Sequence, residues 1–531
     1  MHTKIQSILK QALGASLPSG AAVTVPDEEF HGHYATNAAF VLAKERKQSP
    51  AEAARELAEQ IQKNAPKGFF EKVEATPRGF VNFWLSPTAF QEELGRIIKE
   101  GERYGSSDEL RDRKIQLEFI SANPTGPLTL ANGRGGFFGD ALANVLVHCG
   151  AKVEREHYVN DAGNQILILG KSVLAAAGKI SDEEKFYKGE YVKEWAAAHA
   201  KEIRDAAVPL ELGKRAAADL LKEIRRAIEE KAQIHFDRWT SEDKDIHEKG
   251  LVEKTLALFK EKGLVYKAEG AVWLKTTQFG DDKDRVLITS DKYPTYFLAD
   301  AGHFLETKER GFSDKILILG PDHYGYVKRI SVAAELVGIG AFEAIVTQAI
   351  RLVENGVEVK MSKRKGKFVM FEELIDEVGA DAARFFFLQV SPEAHMDFDM
   401  SLAKERSAKN PVYYAQYAYV RSRKILERAN SESQIAKSAL NRLTGENELR
   451  LIRALVRFPE MVAQAAATHR VHHLAQYAVS LAREFHGFYE KEKVVGVEKE
   501  LEEARVLLVR GVVVVLENLL TILGVSRPDK M

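Results

Sequence analysis

The residues best suited to chemistry fall into a few groups. Lys360 and Lys363 lie three apart in the basic string Lys360-Met-Ser-Lys-Arg364. Two ammonium groups at that spacing can hold a polyphosphate and neutralise the charge that develops as a phosphate group leaves. A solvated basic loop is the plain alternative. Tyr296 and Asp300 are four apart in a stretch predicted as helix, so they share a face. A carboxylate accepts a guanidinium in a two-bond fork, and a tyrosine ring packs on the same group; an ordinary surface pair looks identical in sequence. Glu118 stands near the carboxyl end of a predicted strand, where open α/β folds bind ligands, or it is a solvated strand residue. His323, in Pro321-Asp-His-Tyr-Gly-Tyr326, falls at another strand end, lining a pocket or packed in the core. Tyr413, Tyr414, Tyr417 and Tyr419, mixed with Arg421 and Arg423, offer rings to unpaired bases and charge to phosphates. On a helix only part of this set shares a face, and core packing claims the rest.

These residues need a frame. Ile115, Leu117 and Phe119 alternate with Gln116 and Glu118, a strand of period two that puts Glu118 opposite the apolar trio. A loop punctuated by Asn123-Pro124, Gly126-Pro127 and Gly133 follows, then a helical stripe of Phe137, Phe138, Ala141, Leu142, Val145 and Leu146. Strand, glycine-rich loop and helix form the first unit of a nucleotide-binding fold, with free N–H groups at the helix start for phosphate. A second strand is predicted over residues 152–158. Residues 170–280 read as mostly charged helix, an insertion that splits the nucleotide fold. The second half begins near Arg285, and the apolar runs at 315–319 and 344–348 alternate with helices, which implies a parallel sheet.

Before this frame, Ser49-Pro50-Ala51-Glu52 is a capping box that starts a helix. Thr76-Pro-Arg-Gly79 joins two strands as a hairpin. Residues 1–110 therefore form a small α+β domain. Residues 111–400 hold the parallel-sheet domain with its helical insertion, and residues 401–531, periodic throughout, form an all-α bundle. The fold class is α/β, multidomain.

The 76 Lys and Arg against 77 Asp and Glu leave a net charge of −1, so an RNA-binding surface must be a local patch inside a balanced whole. The single cysteine, Cys149, rules out an intrachain disulfide framework and a Cys-rich zinc site, and no metal-ligating set is assigned. There is no uninterrupted run of about 20 apolar residues, as a membrane span needs, and the first residues lack the apolar core of a signal peptide. No membrane partner and a cytoplasmic location are the expectations.

The string from Glu118 to Gly135 resembles the first signature of arginyl-tRNA synthetases, a class I aminoacyl-tRNA synthetase family. Ala122 to Leu128 and Gly133 to Gly135 follow its pattern, and Lys360-Met-Ser-Lys363 matches the second signature. Residues 30–37, 160–165, 410–417 and the end of the chain also resemble that family. The resemblance implies a split Rossmann-like catalytic domain, an N-terminal domain that touches tRNA and a helical anticodon-binding domain. It implies arginine–tRNA ligase activity with ATP, magnesium carried by the nucleotide, and tRNA-Arg and arginine as partners, in a monomer. Arginine would be held by Glu118, Asn123, Tyr296, Asp300 and His323. ATP would be bound by Thr129, Asn132, Gly133, Met361, Ser362 and Lys363, with Thr129, Asn132, Lys360 and Lys363 acting in catalysis, and tRNA by Tyr413, Tyr417 and Arg421. One departure stands out. The family's His-x-Gly-His core is Thr129-Leu-Ala-Asn132 here. A hydroxyl and an amide still donate hydrogen bonds, without imidazolium charge.

Overall fold

A computed structural model describes residues 1–14, 16–205, 208–359, 370–429 and 437–531. Its centre is a five-stranded, all-parallel sheet. In spatial order the strands are Ala341–Val346, Asp314–Leu319, Lys114–Glu118, Lys152–Val159 and Arg238–Ser241. The chain winds outward one way from Lys114–Glu118 and then returns to wind the other way from Asp314–Leu319. The crevice between these two strands, at their carboxyl ends, is where such sheets take ligands. Both faces are covered, so even the alternating partners of the apolar trio are buried: Gln116 and Glu118 are almost without exposed surface. The solvated-strand alternative for Glu118 is thereby excluded.

The insertion is not all helix. Arg238–Ser241, in its middle, is the outer strand of the parallel sheet, and Val265–Ala268, Ala271–Leu274 and Arg285–Ile288 form an antiparallel sheet of their own. Arg285–Ile288 therefore does not open the second half of the parallel sheet. A short apolar strand carries no mark of which neighbour it will pair with. The helices Asn164–Ala176 and Pro209–Arg226 pack backbone to backbone. A Cβ on Gly170 would lie 1.6 Å from the Pro209 carbonyl oxygen, and one on Gly213 1.9 Å from that of Ile166.

The N-terminal part has the predicted capping box on Pro50–Asn64 and the hairpin of Phe70–Ala75 with Val81–Leu85, inside a four-stranded antiparallel sheet. It packs on the C-terminal bundle. Tyr34 Oη donates to Glu460 at 2.5 Å, and the Arg453 guanidinium lies 3.2 Å from His33. The bundle is built from Pro411–Ala429, Glu446–Val456, Phe458–Thr468, His472–Lys491 and Lys499–Leu523. The last helix is long and apolar enough to cross a membrane by composition. Its Val512, Val515, Leu516 and Leu519 are instead fully buried within the bundle.

Candidate active site

The strand Lys114–Glu118 leaves the sheet through two non-glycine residues in the left-handed region, Ile120 at φ 66° and Ser121 at φ 39°. Such backbone persists only where its surroundings hold it. Here Ser121 Oγ donates to Glu118 at 3.0 Å and accepts from the Tyr158 N–H at 3.2 Å. Beneath this turn lies a buried polar network unusual for the middle of a parallel sheet. Lys315, with no exposed surface, places its ammonium 2.8 Å from Glu118 Oε2 and donates to Gln116. Gln116 donates to Glu156, which also faces His303 Nε2 at 3.1 Å. Burial opposes ionisation of Glu156, but His303 and Lys315 together hold its carboxyl far below the usual range. Glu118, Glu156 and His303 are close enough to suggest a metal cluster. The Lys315 ammonium already supplies the cation these carboxylates need, so the set does not fit a metal.

Above the network runs the helix Tyr296–Glu309. Tyr296, Asp300 and His303 share one face of it, as the spacing predicts. His303 stacks on Tyr158 at 4.4 Å, and the Tyr158 hydroxyl donates to Glu242 at 3.1 Å. The Asp300 side chain is half-buried, and its carboxyl accepts from the Tyr326 hydroxyl. Burial pushes it up to about 6; the Tyr326 hydroxyl works against this, while Glu242 and Glu118 add repulsion. Tyr296 is more than half exposed and stands at the mouth. Glu242 was not foreseen. It lies in a run of charged residues, and only folding buries it and turns it towards Asp300. The like charges of Glu242 and Glu118 beside Asp300 favour a bound cation there.

The loop ends at the helix Leu130–His148. Asn132 Oδ1 accepts from both the N–H and the hydroxyl of Thr129, at 2.9 and 2.8 Å. This leaves the Asn132 amide NH2 as the free donor of the pair. Gly133 packs against the helix that follows the second signature. A Cβ there would lie 2.3 Å from the Phe371 ring, so its glycine serves packing. Arg134 is likewise buried and donates to three carbonyls, of Gln348, Ser391 and Ala394. Lys360, Met361, Ser362 and Lys363 lie outside the described residues. Met370, the first residue after them that is described, bridges to Thr129, and the Phe371 N–H donates to Leu128 at 3.0 Å. Asn123 is exposed on the loop, and His323 is exposed on the short helix Pro321–Tyr326 rather than packed in the core.

In the bundle, Tyr413 and Tyr417 are parallel with centroids 6.3 Å apart, and Arg421 continues their face, lying 4.6 Å over Tyr489. Tyr419 is buried and donates to Glu517, a core role.

Comparison with known proteins covers the whole chain. Residues 1–85 match the family described as "Arginyl tRNA synthetase N terminal domain", residues 93–388 "tRNA synthetases class I (R), catalytic domain", and residues 415–531 "DALR anticodon binding domain". The chain is 40% identical to an arginine–tRNA ligase of Desulfosudis oleivorans, covering 100% of both chains. It is 38% identical to that of Staphylococcus aureus, covering 99% of this chain and 97% of the relative. The arginyl-tRNA synthetase of Thermus thermophilus shares the fold, with a TM-score of 0.78 at 21% identity and full coverage of both chains.

Proposed function

This chain belongs to the class I arginyl-tRNA synthetase family, and from that premise we infer how its own residues carry out the ligation of arginine to tRNA. Asp300 carries the reading: a half-buried carboxylate beside Glu242, on the same helix face as Tyr296, at the carboxyl-end crevice of the sheet. It takes the arginine guanidinium in a two-bond fork, and Tyr296 packs on that group. Asn123 holds the amino-acid end, with His323 at the rim. Glu118, paired with Lys315, supports the turn from below through Ser121.

In the first step the arginine carboxylate attacks the α-phosphate of ATP in line. Arginyl-adenylate forms and pyrophosphate leaves. The Asn132 amide donates towards the phosphate, and the Thr129 hydroxyl fixes its orientation. Lys360 and Lys363, with Met361 and Ser362 between them, neutralise the departing pyrophosphate. Magnesium comes with the nucleotide. In the second step the terminal ribose hydroxyl of tRNA-Arg attacks the adenylate carbonyl and AMP leaves. Positioning and charge stabilisation carry both steps. Tyr413, Tyr417 and Arg421 contact the tRNA. The reading includes a cytoplasmic location and a monomer, and light scattering on the purified protein tests the monomer.

The test is charging of a tRNA-Arg transcript with labelled arginine, ATP and magnesium, beside Lys363→Ala. Charging that is lost in the variant supports the ligase and shows Thr129 and Asn132 to be working substitutes for the two histidines. RNA binding without charging would favour a decayed, RNA-binding protein.

A further inference from the structure

The loop of residues 119–129 carries Asn123 in its first half and Thr129 at its end, and it must hold Ile120 and Ser121 in left-handed backbone. Among the described residues, two hydrogen bonds reach residues 123–128 from other elements. One is the Phe371 N–H to the Leu128 carbonyl. The other comes from the insertion: Tyr191 Oη donates to the Thr125 carbonyl at 2.7 Å. The Tyr191 ring end also covers Gly126, where a Cβ would lie 3.1 Å from the hydroxyl oxygen.

The insertion is built to present this tyrosine. Tyr191 lies in the first turn of the helix Glu190–Ala198, and its ring lies back over Gly189, where a Cβ would come within 2.2 Å of it. Just before it, Phe186 is buried and the Tyr187 N–H donates to Ser172 on the Asn164–Ala176 helix at 2.9 Å. The segment is therefore anchored at one end in the insertion and at the other on the loop. Burial pushes the Tyr191 hydroxyl up to about 12, so it stays a donor at all working pH values.

We propose that Tyr191 is a positioning residue for arginine: through Thr125 it sets the half of the loop that carries Asn123, while Phe371 separately sets the half that carries Thr129. The helical insertion thereby takes part in amino-acid binding. This rests on the ligase reading above.

Tyr191→Phe keeps the ring and removes only the donor. Arginine-dependent pyrophosphate exchange, with tRNA-Arg present, reads the effect. Losing one hydrogen bond should raise the KM for arginine roughly three- to ten-fold. The KM for ATP should be unchanged, because the Leu128 contact is intact, and the melting temperature should stay within about 2 °C. Gly126→Ala, whose Cβ would press on the Tyr191 hydroxyl at 3.1 Å, should act in the same direction. An unchanged KM for arginine overturns the proposal. So does an equal rise in both KM values, or a loss of activity that merely follows a fall in melting temperature. An inactive wild type would overturn the ligase reading itself, and this inference with it.

Discussion

Lys315 lies 2.8 Å from the Glu118 carboxylate with neither side chain open to water, in the middle of a parallel sheet. A buried ion pair adds little net stability compared with apolar packing, but breaking one half of it leaves an uncompensated charge. Lys315→Met should therefore cost about 3–5 kcal/mol, seen as a lower midpoint in urea unfolding. Adding Glu118→Gln should recover part of that loss. A single variant as stable as the wild type would show that the network does not depend on this ammonium.

Asp300 yields a prediction in pH. Burial raises its carboxyl to about 6 in the free protein. A guanidinium binds the charged form, so arginine affinity is full above that value and is lost as pH falls through it. The KM for arginine should rise below pH about 6. Asp300→Asn should flatten this limb and weaken arginine use by at least about a hundred-fold. Steady-state pyrophosphate exchange from pH 5 to 8 checks both; a variant that still selects arginine would mean another group holds the guanidinium.

Asn132 is expected to act through its NH2, since its oxygen is taken twice by Thr129. Asn132→Asp keeps that acceptor and turns the donor into a second oxygen facing phosphate. The rate constant of adenylate formation should fall by about a hundred- to a thousand-fold, while thermal stability changes little. Stopped-flow measurement of the single-turnover rate distinguishes this from a purely structural cap, which the retained oxygen would satisfy with rate and stability both unchanged.

In the bundle, Tyr417→Ala should weaken tRNA binding by about 1–3 kcal/mol, the usual worth of one stacked base, and leave the melting temperature close to that of the wild type. Tyr419→Ala should do the reverse, because Tyr419 is buried against Glu517. Filter binding of tRNA-Arg and a thermal melt on each variant make the comparison.

The sequence by itself determined the local pieces. Ser49 and Glu52 close a capping box, Thr76 to Gly79 turn a hairpin, and Tyr296 and Asp300 share a helix face, because each depends on residues within a few positions of one another. The signatures around Asn123 and Lys360 identified the family for the same reason. Only the tertiary structure decided what these pieces meet. Arg285–Ile288 pairs outside the parallel sheet, while Arg238–Ser241 joins it from within the insertion. Glu118 is occupied by Lys315, Gly133 by Phe371, and Thr125 by Tyr191. Glu242 and Asp300 come to face one space from different parts of the chain. Local pattern records the preferences of neighbours along the chain, whereas burial and charge pairing arise from contacts between residues far apart in it, and those exist only once the chain has folded.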